Sequence, residues 1–277
     1  QPESGLICMR ADNGTVLWEC IGKSTWDGKP KTGWRGEPLV KWTGFEKMAS
    51  YSTPTIATIH GRRVVLALMR QGLVMVDADL GEVLDSFWFR ANVNESVNAI
   101  NPVVIGNEVF ISGAYYRVGS VLLGIDENFK FKDRWRGLSL EAHWSTPIVH
   151  DGHIYSFSGR NEPDARFRCI EWATGELKWD RDESWQRRSR TPDTFGRGSA
   201  IKADGHLITL GEGGLLGLVE LDPEKLTEIS HQKDAFLSQV SHELRTPMTS
   251  IRAFSEILRD TGGLEAEERR RYASIIH

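Results

Sequence analysis

Over most of the chain, apolar and polar residues alternate in short runs; near the C-terminus the alternation gives way to a longer period. Four segments before residue 231 share one layout. The first opens at Ser52-Thr53-Pro54, runs past a turn at Gly61, and reaches Gly72, Asp77 and Gly81. The second passes Asn101-Pro102, Gly106-Asn107 and Ser120, and ends at Asp126. The third contains Ser145-Thr146-Pro147, Asp151-Gly152 and the run Cys169 to Trp179. The fourth contains Gly198, Asp204-Gly205 and Gly217 to Asp222. The repeat length of roughly 45–53 residues fits units of four short strands, as in propeller blades. Asp151-Gly152 and Asp204-Gly205 separate alternating apolar runs, the pattern of a tight hairpin. Leu80-Gly81 and Thr174-Gly175 read as turns between the last two strands of their units. Trp18 and Trp179 then fall on outer strands, where an aromatic covers a neighbouring blade or its own core.

The pattern changes after Ser230. Leu237, Val240, Leu244, Met248, Ile251, Phe254 and Leu258 fall three or four apart and make one helical stripe, close to the period of a bundle seam. The helix is read as starting with His231-Gln232-Lys233. His242 lies off the stripe and is expected to face solvent, and Pro247 removes a backbone donor and kinks the helix. Glu243 adjoins His242, and Thr246 lies one turn on, so all three share a face. A neutral imidazole is a nucleophile near neutral pH, and a neighbouring carboxylate can accept its proton. Gly262-Gly263 end the helix, and the acidic residues after Leu264 start a second, shorter one. The expected fold is therefore mainly β: a partial β-propeller of four-stranded blades over residues 1–230, then an α-helical hairpin over 231–277.

Composition narrows the classes. A net charge of −4 over 277 residues leaves no basic footprint for nucleic acid. No apolar run approaches the length of a membrane span, and Gln1-Pro2-Glu3-Ser4-Gly5 has no signal-peptide pattern. Cys8, Cys20 and Cys169 make no metal pattern; Cys8 and Cys20 flank the Asn13-Gly14 turn and read as buried free thiols rather than a bridge. Two aromatic and basic loops, Ser24 to Gly36 and Glu183 to Arg190, read either as candidates for an anionic or carbohydrate ligand on one propeller face or, equally, as ordinary connections packed on the rim. His150 and His153 flank a turn and read as architecture rather than as a metal site. Asn13-Gly14-Thr15 and Asn94-Glu95-Ser96 match glycosylation acceptors.

Two resemblances follow from these residues. Phe236 to Ile251, with Ser241-His242-Glu243-Leu244-Arg245-Thr246-Pro247 at its centre, resembles the H-box of sensor histidine kinases. The resemblance implies that His242 accepts the γ-phosphoryl group of ATP, that Glu243 assists the proton transfer, and that Thr246 orients water for dephosphorylation. It implies a homodimer through the C-terminal helices, half of a four-helix bundle per chain, and a response-regulator receiver domain as partner. The family's ATP-binding domain does not follow in this sequence. ATP and magnesium are thus expected only through that missing domain, and the chain as written is not expected to phosphorylate itself.

Ile170-Glu171-Trp172-Ala173-Thr174-Gly175-Glu176-Leu177-Lys178-Trp179 resembles the signature of PQQ-like β-propeller repeats, with Glu171 where Asp is usual. Val76-Asp77-Ala78-Asp79-Leu80-Gly81 and Gly14 to Trp18 are weaker copies. The resemblance covers about residues 5–230. A quinoprotein dehydrogenase would show an adjacent cysteine pair; this chain has none, so PQQ is not expected as its cofactor. An unknown ligand or protein is expected on the propeller face. The propeller family suggests a periplasmic or secreted setting, and the kinase segment a cytoplasmic one. No linker separates the two parts, so the junction reads as a chimera, an engineered fusion or a mis-joined gene fragment. The sequence fits either a two-component signalling fragment or a non-catalytic propeller scaffold with a foreign tail.

Overall fold

The computed structural model describes residues 5–20, 51–91, 96–160, 164–184 and 194–231. The chain divides into two compact units, Gln1–Ile229 and Ser230–His277. The first is mainly β. Its opening element is a two-stranded sheet, β1 (Leu6–Met9) and β2 (Val16–Cys20).

Four four-stranded sheets follow, each a simple antiparallel meander in chain order. The first is β3 (Thr55–Ile59), β4 (Arg62–Leu68), β5 (Gly72–Asp77) and β6 (Val83–Trp88). The second is β7 (Val103–Ile105), β8 (Glu108–Gly113), β9 (Gly119–Ile125) and β10 (Phe131–Gly137). The third is β11 (Ile148–His150), β12 (His153–Ser158), β13 (Arg166–Glu171) and β14 (Leu177–Asp182). The fourth is β15 (Ser199–Ala203), β16 (His206–Leu210), β17 (Leu216–Glu220) and β18 (Glu228–His231). The arrangement is that of four propeller-like blades, as the repeat predicts.

Local chemistry sets these strands. His150 pairs with His153, and Ala203 with His206, so Asp151-Gly152 and Asp204-Gly205 are the turns of tight hairpins. All four turn residues have positive φ, the condition for a turn whose twist matches the strands. The later turn of each blade begins with an acid that caps it. Asp77 Oδ1 accepts the N–H groups of Asp79 and Leu80, and Asp126 Oδ1 those of Asn128 and Lys130. In the third blade Glu171 has this place and takes the Thr174 hydroxyl instead, at 2.5 Å.

In the first two blades the inner strands are buried on both faces over most of their length, whereas β16 and β17 of the fourth blade alternate. Every residue of β5 and of β9 is buried, so these strands read as continuous apolar runs rather than alternating ones. One core joins the first three blades through Leu66, Met75, Phe110, Leu123 and Ile154. A second joins the third and fourth through Tyr155, Phe167, Leu207 and Val219. A third seats Trp18 and Cys20 against Val65 and Val74 of the first blade.

Outer strands are stitched to the next blade by tryptophan. The indole N–H of Trp18 donates to Ala78 O at 3.0 Å, that of Trp135 to Trp172 O at 2.7 Å, and that of Trp179 to Asp222 O at 2.9 Å. Trp18 and Trp179 thus cover the neighbouring blade. Between the first and second blades the device is polar: Asp85 Oδ2 accepts the N–H of Phe131, and Lys130 donates to Leu84 O.

Two expectations need correcting. All three cysteines are free thiols as expected, but Cys8, opposite Trp18, is half-buried, so only Cys20 and Cys169 are buried. His231 is the last residue of β18 rather than the first of a helix. The sheet ladder reaches one residue further because pairing beside β17 satisfies its backbone. The helical stripe from Leu237 to Leu258 and the second helix after Leu264 lie outside the described residues. Among the described residues, no helix is long and apolar enough to cross a membrane.

Candidate functional site

A meander places its connections alternately at two ends. The tight Gly-containing hairpins and the acid-capped turns lie at one end of the blades. The strand-two-to-strand-three loops and the blade-to-blade connections lie at the other. That second end collects the buried polar groups Gln71, Arg90, Asn98, His143 and Glu183. Side-chain and carbonyl bonds tie its loops together. Asn98 Nδ2 donates to Met69 O and Phe89 O, and Arg197 Nη1 donates to Arg160 O across to the fourth blade.

On this end a cavity of about 350 Å³ opens between the second and third blades, lined by Arg117, Glu141, Arg160, Asp164, Arg166 and Arg168 among others. The size is at the lower end for small-molecule sites. Six charged side chains line it, and their partners divide them into two sets.

Arg166 and Arg168 are satisfied. Two residues apart on β13, they meet Asp180 of β14: Arg166 Nη2 lies 2.8 Å from Asp180 Oδ2, and Arg168 Nε 3.0 Å from Oδ1. Arg166 also reaches Asp182 at 3.0 Å, and Arg168 donates to Ser139 O at 3.0 Å. Burial pushes Asp180 up, but the two guanidinium groups outweigh it and leave it below the usual carboxylate range.

Arg160 differs. Its carbonyl accepts the indole N–H of Trp144 at 3.1 Å and the Arg197 guanidinium at 3.2 Å, so its backbone is held. Its guanidinium lies 4.1 Å from the centre of the Tyr115 ring and 5.7 Å from that of Tyr116. Stacking occupies the face of the guanidinium and leaves its in-plane donors available. No carboxylate pairs with it among the described residues. Arg117, exposed at the cavity edge, likewise has no ion pair there.

The turn that carries Tyr115 and Arg117 is strained. Tyr116 and Arg117 have φ of 47° and 60°, a left-handed pair of non-glycine residues costing on the order of 1–2 kcal/mol each. Gly159 closes the opposite wall. At φ 104° its Cβ would lie 2.1 Å from Asp164 O, so only glycine lets the loop return there.

Glu141 lies between these walls. Its N–H donates to Ser158 Oγ at 2.9 Å, and its carbonyl accepts the N–H of Gly159 at 2.9 Å. Its side-chain Oε1 is buried with no hydrogen-bond partner among the described residues. Burial pushes its carboxyl up, against the pull of Arg117 and Arg168. Beside it, His143 is 1% exposed, 4.9 Å from Tyr115 and 4.5 Å from Trp144 between ring centroids. Burial, helped by Arg160, pushes it down to about 4, so the ring is neutral at pH 7.

His242, Glu243, Thr246 and Pro247 lie outside the described residues, as do the loop 24–36, residues 185–190 of the second loop, and Asn94-Glu95. Of that second loop Glu183 is described. It is buried, accepts the N–H of Phe195 at 2.7 Å and pairs with Arg181, so it anchors a blade connection. His150 faces Lys202 at 2.8 Å, and His153 bonds the Asp151 carbonyl, so the two histidines have separate partners. Sequence reasoning missed the charged cavity. Its one sequence signal is Arg166-Phe167-Arg168, whose alternation puts both cations on one face of a strand.

Comparison with known proteins gives two family matches. The model described as outer membrane protein assembly factor BamB matches residues 2–181, and that described as His Kinase A (phospho-acceptor) domain matches residues 232–277. Curated relatives include the sensor protein SphS of Synechococcus elongatus, 43% identical over 56 residues, which are 20% of this chain and 13% of that protein. An uncharacterized sensor-like histidine kinase of Rhizobium meliloti is 37% identical over 84 residues, covering 24% of this chain and 16% of the relative. The match thus spans less than a fifth of either relative's length. Among solved structures, BamB from Moraxella catarrhalis is similar at 12% identity and a TM-score of 0.47, covering 80% of this chain and 62% of that one. A europium-containing methanol dehydrogenase is similar at 12% identity and a TM-score of 0.46, covering 64% and 43%.

Proposed function

We propose that this chain, which belongs to the PQQ-like β-propeller family described as outer membrane protein assembly factor BamB, is the sensing and phosphoaccepting part of a two-component signalling protein. The observation that carries this reading is the composition of the segment matched as a phosphoacceptor domain. Within residues 232–277 it contains Ser241-His242-Glu243-Leu244-Arg245-Thr246-Pro247, the H-box residues in order. We assign residues 1–230 to the propeller and 231–277 to the phosphoacceptor helices.

The chemistry is a phosphoryl transfer. A neutral ring nitrogen of His242 attacks the γ-phosphorus of ATP, the bond to the bridging oxygen breaks, and ADP leaves. Glu243 takes the proton that the ring gives up on becoming phosphohistidine. Thr246, one turn on, orients a water for the reverse duty of dephosphorylation. ATP and its magnesium belong to a catalytic domain supplied by another part of the protein or by another chain. The phosphate then passes to an aspartate of a receiver domain. PQQ has no part in this reading, because the adjacent cysteine pair of a quinoprotein is absent.

The helices pair with those of a second copy, since the stripe from Leu237 to Leu258 needs a partner to leave water. Light scattering on the full chain tests this. A mass near twice 31.2 kDa, independent of dilution through the micromolar range, is expected. A monomer throughout that range would contradict the bundle.

A further inference from the structure

We infer that the charged cavity between the second and third blades binds a free α-amino acid, its carboxylate held by Arg160 and Arg117 and its ammonium by Glu141. The inference rests on the reading of the propeller as a sensing module and names the class of ligand that it senses.

Three observations on separate elements converge on it. Arg160 is prepared as a carboxylate receptor: its backbone is pinned by Trp144 and Arg197, its guanidinium is laid on Tyr115, and no acid takes its donors among the described residues. A guanidinium presents its donors in the fixed fork that a carboxylate fits. A second cation, Arg117, is held at the cavity edge by a strained left-handed turn and pairs with no acid among the described residues. Strain kept in a short turn needs compensation, and a ligand held by the turn supplies it.

Glu141 sets the other pole. A buried carboxylate oxygen without a donor is costly, and here the backbone of the same residue is fully bonded while Oε1 is bare. An ammonium supplies both the hydrogen bond and the charge. Asp164 adds a second carboxylate to the lining. A simple anion would meet two carboxylates, and a simple amine two free guanidinium groups; a zwitterion meets complementary charge at both poles. The cavity, about 350 Å³, holds a molecule of this size. The other two lining arginines are spent on Asp180 and Asp182, so they hold the wall and do not compete.

Calorimetric titration of the full chain tests the inference. The probes are the standard L-amino acids one by one, and for each that binds, its N-acetyl and its carboxamide derivatives. At least one amino acid is expected to release heat at millimolar concentration or below. Both derivatives should lose it, because one lacks the ammonium and the other the carboxylate. Arg160→Gln and Glu141→Gln should each weaken binding at least tenfold, about 1.4 kcal/mol. Arg117→Gln, on an exposed side chain that the fold does not need, should weaken it severalfold and serves if either of those half-buried variants misfolds. Lys202→Gln, at the other end of the blades, should leave it unchanged. No heat from any amino acid overturns the inference, as does undiminished binding of the N-acetyl form, or of Arg160→Gln and Arg117→Gln together. The readout is heat, not phosphate, so failure here leaves phosphorylation of His242 standing, and the converse holds.

Discussion

The indole N–H of Trp135 donates to the carbonyl of Trp172 at 2.7 Å, and the Trp135 ring lies over Gly175 in the same neighbouring blade. A Cβ on Gly175 would come within 2.7 Å of that ring, and its φ is 73°. One contact thus fixes both the residue that reaches and the residue that receives. Trp135→Phe keeps most of the ring and loses the hydrogen bond, so it should destabilise by about 0.5–1.5 kcal/mol. Gly175→Ala meets both the ring and the left-handed backbone and should destabilise by about 1–3 kcal/mol. Urea unfolding of the two variants and the parent checks both values. If Gly175→Ala proves neutral, the ring does not seat there.

Gln71 stands at the strand-two-to-strand-three turn of the first blade. It is fully buried, and both polar atoms of its side chain lack partners among the described residues. A buried amide left unpaired costs about 1–3 kcal/mol. Gln71→Met keeps the length and removes the polar atoms, so it should raise stability by about 1 kcal/mol. A fall in the urea midpoint for this variant would mean that the amide is bonded.

His143 gives a pH dependence. Its folded value, about 4, lies below the ordinary 6.5. Between these values the unfolded chain binds a proton that the folded chain refuses, so stability rises with pH across the window and is lost as pH falls through it. Tyr115, Trp144 and Arg160 surround the ring, and none of them offers a negative charge. Glu141 and Glu183, pushed up by burial, have the opposite sign: their contribution falls as pH rises through their folded values. The His143 effect is therefore read as a difference. The stability of His143→Phe relative to the parent should grow by up to roughly 3 kcal/mol between pH 7 and pH 4. Parallel stability curves would contradict the buried neutral ring.

The blades were legible because their repeat is local. Pro54, Pro102 and Pro147 stand before first strands, Asp-Gly pairs mark hairpins, and Trp179 follows its Thr-Gly turn, all within reach of a short window. Trp135 was not legible. A register shift between Asp133 and Trp135 breaks the period-two alternation, so its place beside Trp18 and Trp179 appears only in the pairing. The cavity was less legible still. Arg117, Glu141 and Arg160 come from three connections with no periodicity, brought together by the packing of two blades. The length and hydropathy of a loop do not say which charges will find partners. At His242 the reverse holds: the motif is explicit in sequence, and its chemistry is read from residue types alone.

Phosphate acceptance by His242 is the step on which the proposed function stands. The direct measurement incubates the full chain with γ-labelled ATP, magnesium and an isolated histidine-kinase ATP-binding domain. The label on the chain is followed through acid treatment, and His242→Gln serves as the control. An acid-labile, alkali-stable label is expected on the parent chain and none on His242→Gln. Equal labelling of the two, or none on the parent while the same domain labels its own phosphoacceptor helices, would contradict it.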